Sequence, residues 1–368
     1  MSSFHELHGQ GGLRAMKKIL LILLLFSLEA CHSPEDPIAA TGRQVDEIFA
    51  SYESGLQPGI AIEVIRNGEV LHLGTYGFAN IEEATPIAND TAFRLASVSK
   101  QFAAMAIMLL EEDGRLSYDD PVSRYLPELG FYEGVTIRHL LQHTSGLPDY
   151  YDVMDTSAGM PTNRDALLLL QQLARVDFAP GERYEYSNAA YDTIGPLVAA
   201  VSGMSFAEFV RQRIFLPLGM THSVVHDETK PEIANRAIGY EPDGEGFALN
   251  DYDPLNVIIG SGGIYSTLND LYRWDQALYG ETLVSKATLD LAFTSGTNNA
   301  GELLEYGFGW RIDEVQGHKA VRHGGSWVGF RTHILRIPDL RFSIVLLSNR
   351  ADTDAEDFVD RVAALYLR

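Results

Sequence analysis

The chain has 368 residues, 46% hydrophobic and 21% charged, a globular composition that excludes intrinsic disorder. Asp plus Glu number 50 against 28 for Lys plus Arg, a formal net charge of −22. So acidic a chain lacks the clustered cations that phosphate contacts need, which excludes nucleic acid as an expected partner.

From Met16 the sequence reads MKKILLILLLFSLEAC. Two lysines precede an apolar run too short to span a bilayer, the layout of a secretory signal. The single cysteine, Cys31, follows Leu28-Glu29-Ala30 and resembles the lipobox of bacterial lipoproteins, where the cysteine is acylated and begins the mature chain. Glu29 departs from that pattern, so a plain cleaved signal or a buried thiol stands as the alternative. Residues before Met16 lack signal character, and Met16 is a candidate true start. The expected organisation is a signal over 1–31, a polar tether over 32–42 and one domain over 43–368. The expected location is the periplasm, or the cell envelope through a lipid anchor on Cys31. One cysteine allows no intrachain disulfide.

GIAIEVIR (59–66) alternates like a strand. Asn67-Gly68 is a strong hairpin signal, and EVLHLGTYGFAN supplies the returning strand. The middle of the chain carries helical patterns: MAIMLLEEDGRL, TIRHLLQHTSG, RDALLLLQQLARV and NAAYDTIGPLVAAVSG. Towards the C-terminus KAVRHGG, GFRTHILRIP and RFSIVLLSN read as strands, with Pro338-Asp339 as a turn and DAEDFVDRVAALYL as a closing helix. Strands at both ends around a helical middle predict an α+β (mixed α/β) fold. Its sheet draws strands from both termini, and a mostly helical lobe is inserted between them.

Three short segments carry candidate chemistry. The only Ser-x-x-Lys runs from Ser97 to Lys100, at the start of an apolar stretch that stops near Gly114. One such pair is about what chance gives in a chain of this length. Three-residue spacing places both side chains on one helix face at its amino end, where N–H groups and the dipole favour an anion. A serine hydroxyl needs a neighbouring base, and a desolvated lysine can serve. An N-cap serine with a snorkelling lysine is the plainer alternative. Tyr186-Ser187-Asn188 then puts a phenol and a carboxamide just before another apolar helix. The phenol suits a general base, the carboxamide suits a substrate amide, and a simple helix cap is the alternative. Finally His323-Gly324-Gly325 ends a predicted strand, where glycines admit close backbone approach and a histidine can relay a proton. His139 and His143 are four apart on a predicted helix, but no glutamate lies between them as a zinc-protease motif requires, so a structural role is expected. No metal or cofactor is expected.

In this order, Ser-x-x-Lys, Tyr-x-Asn and a basic residue-x-Gly on a strand resemble one serine hydrolase family. It comprises class C β-lactamases, low-molecular-weight penicillin-binding proteins, D-Ala-D-Ala carboxypeptidases and related carboxylesterases. TIRHLLQHTSGLPDY, IFLPLGMTHS and GSGGIYSTLNDLYRW are similar to further segments of it, so the resemblance spans about residues 43–368. It implies a β-lactamase/transpeptidase-like fold and an acyl-enzyme mechanism. Ser97 would be the acylated nucleophile, and Lys100 and Tyr186 would share proton transfer. Asn188 would contact substrate, with Gly324 and Gly325 beside it. His323 stands where class C β-lactamases carry lysine, and the N–H groups of Ser97 and Ser326 would form the oxyanion hole.

The family pattern Lys-Thr-Gly is here His-Gly-Gly. Gly324 lacks the hydroxyl that helps hold a substrate carboxylate, a loss of about 1.5–3 kcal/mol. This favours a carboxylesterase or amidase for neutral acyl groups over a D-Ala-D-Ala carboxypeptidase or β-lactamase, unless Arg322 compensates. Trp327 and Tyr150-Tyr151 are candidates to line an acyl pocket, with ordinary packing as the alternative. The expected partners are a small-molecule, ester or peptide substrate, peptidoglycan as a candidate, and the membrane through the anchor. A catalytically idle envelope binding module is the reading of a different class. A purely structural lipoprotein would leave the three motifs unexplained.

Overall fold

The protein is described by a computed structural model over residues 37–157 and 159–367. The expected signal, Met16 and Cys31 lie outside the described residues. Among the described residues no single helix is long and apolar enough to cross a membrane. The helix α1 (Pro37–Phe49) begins inside the stretch expected to be a tether. Proline is well tolerated at a first helical position, because its missing N–H has no intrahelical role there.

The hairpin forms as its sequence predicts. β1 (Ile60–Arg66) and β2 (Glu69–Tyr76) pair antiparallel around Asn67-Gly68, both with positive φ. The C-terminal part supplies β3 (Arg311–Val315), β4 (His318–Trp327), β5 (Phe330–Ile337) and β6 (Phe342–Ser348). These join one six-stranded sheet in the order β3-β4-β5-β6-β1-β2. The two chain ends meet where β1 pairs antiparallel with β6, from Ile60 opposite Ser348 to Arg66 opposite Phe342.

The sheet is covered on both faces, which is why its strands read as nearly unbroken apolar runs. Ile60, Ile62 and Val64 face one core with Phe342, Ile344 and Leu346, under Phe49 of α1 and Val359 and Val362 of the closing helix. Ala61, Val345 and Leu347 face the larger core. That core holds the helical lobe: α2 (Lys100–Glu112), α3 (Ile137–Leu141), α4 (Asn163–Leu173), α5 (Asn188–Ser202) and α6 (Leu268–Ala277), with the closing helix α7 being Ala355–Tyr366. The predicted α+β arrangement is the one found. Two boundaries differ. Helix α3 stops at Leu141, so His143 lies beyond it at φ 55°. Strand β4 continues through both glycines to Trp327, and the turn falls at Val328.

Polar groups are also buried between sheet and helices. Arg336 and Asp275 pair at 2.6 Å with both side chains fully buried, and Ser343 donates to the same carboxylate oxygen. Near them Glu63 is 5% exposed, and its Oε2 has no partner among the described residues. Burial, reinforced by the Asp275 charge, pushes its pKa up from 4.5 to about 8. Between these values the folded chain holds a proton that the unfolded chain releases, so this group erodes stability as pH rises. Glu63→Gln should therefore raise the melting temperature by a few degrees above about pH 8 and change it little below about pH 4.5. Thermal melts across that range check it, and a pH-independent difference would contradict it.

Candidate active site

Ser97 lies in a short 3₁₀ turn, Ala96–Ser99, that runs directly into α2. It stands ahead of the α-helix rather than within its first turn. Ala96 holds φ 48°, a left-handed conformation costly for a residue with a Cβ. Neighbouring strands hold this elbow in place. The Leu95 N–H donates to Ile264 O at 2.8 Å, and Thr332 Oγ1 of β5 donates to Leu95 O at 2.7 Å.

Lys100 is fully buried one turn further on. Its Nζ donates to Ser97 Oγ at 3.2 Å, Asn188 Oδ1 at 2.8 Å and Ser261 O at 3.0 Å. All three ammonium hydrogens are thus placed. The charge also faces the Tyr186 ring, 4.8 Å from its centroid. Burial pulls the Lys100 pKa down to about 7, against the opposing pull of the Asp192 carboxylate. Tyr186 shares a hydrogen bond with Ser97, and burial raises its phenol pKa well above the usual value.

The Tyr186–Asn188 segment is positioned from its helix and from below. Ser187 caps α5 by accepting from Ala190 N, and its own N–H donates to His143 Nδ1 at 3.0 Å. The fully buried His143 imidazole packs against the Tyr186 ring at 4.4 Å. His139 Nδ1 instead accepts the Thr136 N–H in a capping box. The two histidines therefore serve separate backbone segments. Among the described residues no cluster of three or more His, Cys, Asp or Glu side chains could hold a metal ion.

Strand β4 forms the opposite wall. A Cβ on Gly325 would lie 2.2 Å from Leu95 O, 2.4 Å from Thr332 Oγ1 and 3.1 Å from Ser97 N, so only glycine lets this strand pass the elbow. Ser326 follows and lines the same cavities as Ser97. His323 is buried and neutral, its pKa pulled down to about 3 by burial and by the Lys100 charge. Its Nδ1 faces Gly324 O at 2.7 Å, which fixes the proton there. Its Nε2 then accepts from Tyr306 at 2.9 Å. Both ring nitrogens are engaged away from Ser97, and the imidazole carries no charge where a lysine would.

Two cavities meet at Ser97, Asn188 and Ser326. One is lined by Tyr151, Leu255, Ile258 and Trp327, so Tyr151 and Trp327 hold the expected lining places. Tyr150 does not, being fully buried with its hydroxyl on Asp192. The other cavity is an open cleft that includes Tyr186, Arg311, His323, Gly324 and Arg331. Arg322 is held by Asp313, Glu356 and Asp360 and takes no part in this lining. Arg311 has no ion pair among the described residues, and its charge acts on Tyr186, His143 and His323.

Sequence reasoning missed Asp192, Ser261, Tyr306 and Arg311. Only Asp192 left a local signal, an acid inside an otherwise apolar helix.

The sequence matches the family described as Beta-lactamase over residues 45–367. It is 38% identical over 314 residues to penicillin-binding protein 4* of Bacillus subtilis, covering 80% of this chain and 69% of that protein. It is 29% identical over 304 residues to a D-aminopeptidase of Gluconobacter oxydans, covering 79% of this chain but only 56% of the relative. The solved structure of an octameric penicillin-binding protein homologue from Pyrococcus abyssi superimposes with a TM-score of 0.78. It shares 29% identity, with 90% of this chain and 77% of that one covered.

Gly325→Ala should cut activity at least 100-fold, because the methyl group collides with the Leu95 carbonyl oxygen and with the Thr332 hydroxyl that anchors it. Gly324→Ala, whose Cβ meets nothing nearer than His333 at 3.4 Å, should stay within about tenfold of wild type. Equal losses in steady-state assays of the two variants would contradict this placement.

Proposed function

The chain belongs to the β-lactamase family and is a serine hydrolase of the β-lactamase/penicillin-binding protein type, and from that premise we propose that it works through an acyl-enzyme on Ser97. One observation carries the mechanism: a dry lysine amine 3.2 Å from the only serine hydroxyl in a Ser-x-x-Lys motif.

Neutral Lys100 takes the Ser97 proton as Oγ attacks the substrate carbonyl carbon. A pKa of about 7 leaves a large neutral fraction at physiological pH. Tyr186, bonded to Ser97 with its phenol protonated, passes a proton to the departing oxygen or nitrogen. The N–H groups of Ser97 and Ser326 receive the oxyanion, an arrangement worth about 3–4 kcal/mol per donor in comparable sites. Asn188, whose Oδ1 is taken by Lys100, presents its amide hydrogens to the substrate. Lys100 hands its proton on to restore the Tyr186 phenol; water then attacks the acyl-enzyme as neutral Lys100 takes a water proton, which returns to Ser97 Oγ when the acyl–oxygen bond breaks. His323 holds the Gly324 backbone rather than relaying protons.

A leaving group protonated by Tyr186 must stand in the open cleft, and the acyl group then occupies the Tyr151/Trp327 cavity. We propose ester or amide substrates with neutral acyl groups. Gly324 offers no hydroxyl, and Arg322 is committed elsewhere. A second reading is a peptide with a C-terminal carboxylate. Arg311 favours it, as a cation on the leaving-group wall with no ion pair among the described residues, and so does the similarity to a D-aminopeptidase. The export and lipid-anchor expectation remains a proposal alongside, tested by radiolabelled palmitate incorporation into the full chain and its loss in Cys31→Ser.

The deciding experiment compares p-nitrophenyl butyrate, nitrocefin and a D-Ala-D-Ala peptide. Ester turnover should vanish in Ser97→Ala and Lys100→Met. For the wild type it should rise through about pH 7 as Lys100 loses its proton. Efficient peptide cleavage that falls at least tenfold in Arg311→Gln would instead establish the second reading. A fluorophosphonate that fails to label Ser97 would overturn both.

A further inference from the structure

We propose that Asp192 is a positioning residue for Lys100, acting through Ser261 and through its own charge; this rests on the reading of Lys100 as the base. The carboxylate is 2% exposed, deep in the first turns of α5. Its Oδ2 accepts from Tyr150 at 2.7 Å and from Tyr151 at 2.9 Å, and its Oδ1 accepts the Ser261 N–H at 3.2 Å. Burial pushes its pKa up, and the three converging donors together with the Lys100 charge oppose this by favouring the ionised carboxylate.

Ser261 joins this acid to the lysine. Its N–H faces Asp192 while its C=O accepts from Lys100 Nζ at 3.0 Å. The loop bearing Ser261 is fixed to the same helix. Pro196 has no N–H for the Asp192 carbonyl one turn back, and Asn163 Nδ2 supplies the missing donor at 2.8 Å while also bonding Ile259 O. Asn163 Oδ1 accepts the Ile259 N–H, so helix, loop and lysine are tied through side-chain amide and acid.

The charges facing Lys100 are few. Tyr186, Tyr191, His143 and His323 surround it, and Arg311 stands beyond them. The histidines are held neutral by burial and the tyrosines are protonated. Asp192 is therefore the anion that offsets desolvation of the ammonium. Tyr151 extends the connection to the acyl cavity, since the same hydroxyl that bonds Asp192 belongs to a ring lining that cavity.

Removing the negative charge disfavours the ammonium, so Lys100 loses its proton at lower pH. The acid limb of kcat/KM moves down in pH, although the loss of Ser261 anchoring lowers the plateau. In Asp192→Asn the ratio of variant to wild-type kcat/KM should be roughly three- to tenfold higher near pH 6 than near pH 9. The amide nitrogen of that variant opposes the Ser261 N–H, so Asp192→Ser serves as a second variant with room for water. Rates of Ser97 labelling by a fluorophosphonate, measured across the same pH range on the full chain, give an independent readout. A uniform drop at every pH in the variant that folds would overturn the inference and leave Asp192 merely structural. If Lys100→Met keeps wild-type turnover, the base assignment itself has failed. If that variant is inactive while the Asp192 variants keep the wild-type limb, only this inference has.

Discussion

An ammonium group with no exposed surface stays in a protein only where acceptors replace its water and a nearby anion offsets part of the desolvation. The cleft of this protein is arranged around that requirement at Lys100. Ser97 Oγ, Asn188 Oδ1 and Ser261 O take its hydrogens, the Tyr186 and Tyr191 rings cover it, and Asp192 supplies the charge. These groups come from three parts of the chain, Ser97 beside the lysine, residues 186–192 and Ser261, so the lysine finds its full environment only in the folded molecule. The balance leaves Lys100 poised near neutrality, the range in which an amine can both take and return a proton.

The geometry of the proposed nucleophile depends on a second constraint, the closeness of two backbones. β4 passes the Leu95–Ser97 elbow at a distance that no side chain larger than that of Gly325 permits. Thr332 fixes the same elbow from the neighbouring strand, and the left-handed Ala96 is held between them. Strain of this kind persists only where surrounding structure over-determines it. The sheet supplies that rigidity because both of its faces are packed, on one side under α1 and α7 and on the other under the helical lobe.

The cleft also shows how burial redistributes charge among similar residues. Arg322 and Arg311 are opposed on neighbouring strands, yet Arg322 is absorbed by three acids while Arg311 looks into the cleft. His323 occupies a place suited to a cation, but a dry site and a nearby ammonium keep it neutral. Its hydrogen bonds make it a brace between Tyr306 and the Gly324 backbone. The cations lining the open cleft are Arg311 and Arg331.

Much of the architecture was legible in the chain because it rests on local periodicity and turn chemistry. The Asn67-Gly68 hairpin, the C-terminal strands, the closing helix and the buried helix after Ser97 all follow from residues close in sequence. So does the pairing of Ser97 with Lys100, which needs only three-residue spacing. The boundaries that failed were decided by neighbours. α3 ends where His143 must turn inward to accept the Ser187 N–H, and β4 runs on through its glycines because β5 pairs with it to Trp327. The sequence by itself determined the family, five of the six sheet strands, most of the helical lobe and the three motif segments, but not β3, α1 or α6. Only the tertiary structure decided the company that Lys100 keeps, the neutrality of His323 and the division of labour between Arg311 and Arg322. Those depend on burial and on charges tens to hundreds of residues apart, which one-dimensional spacing does not encode.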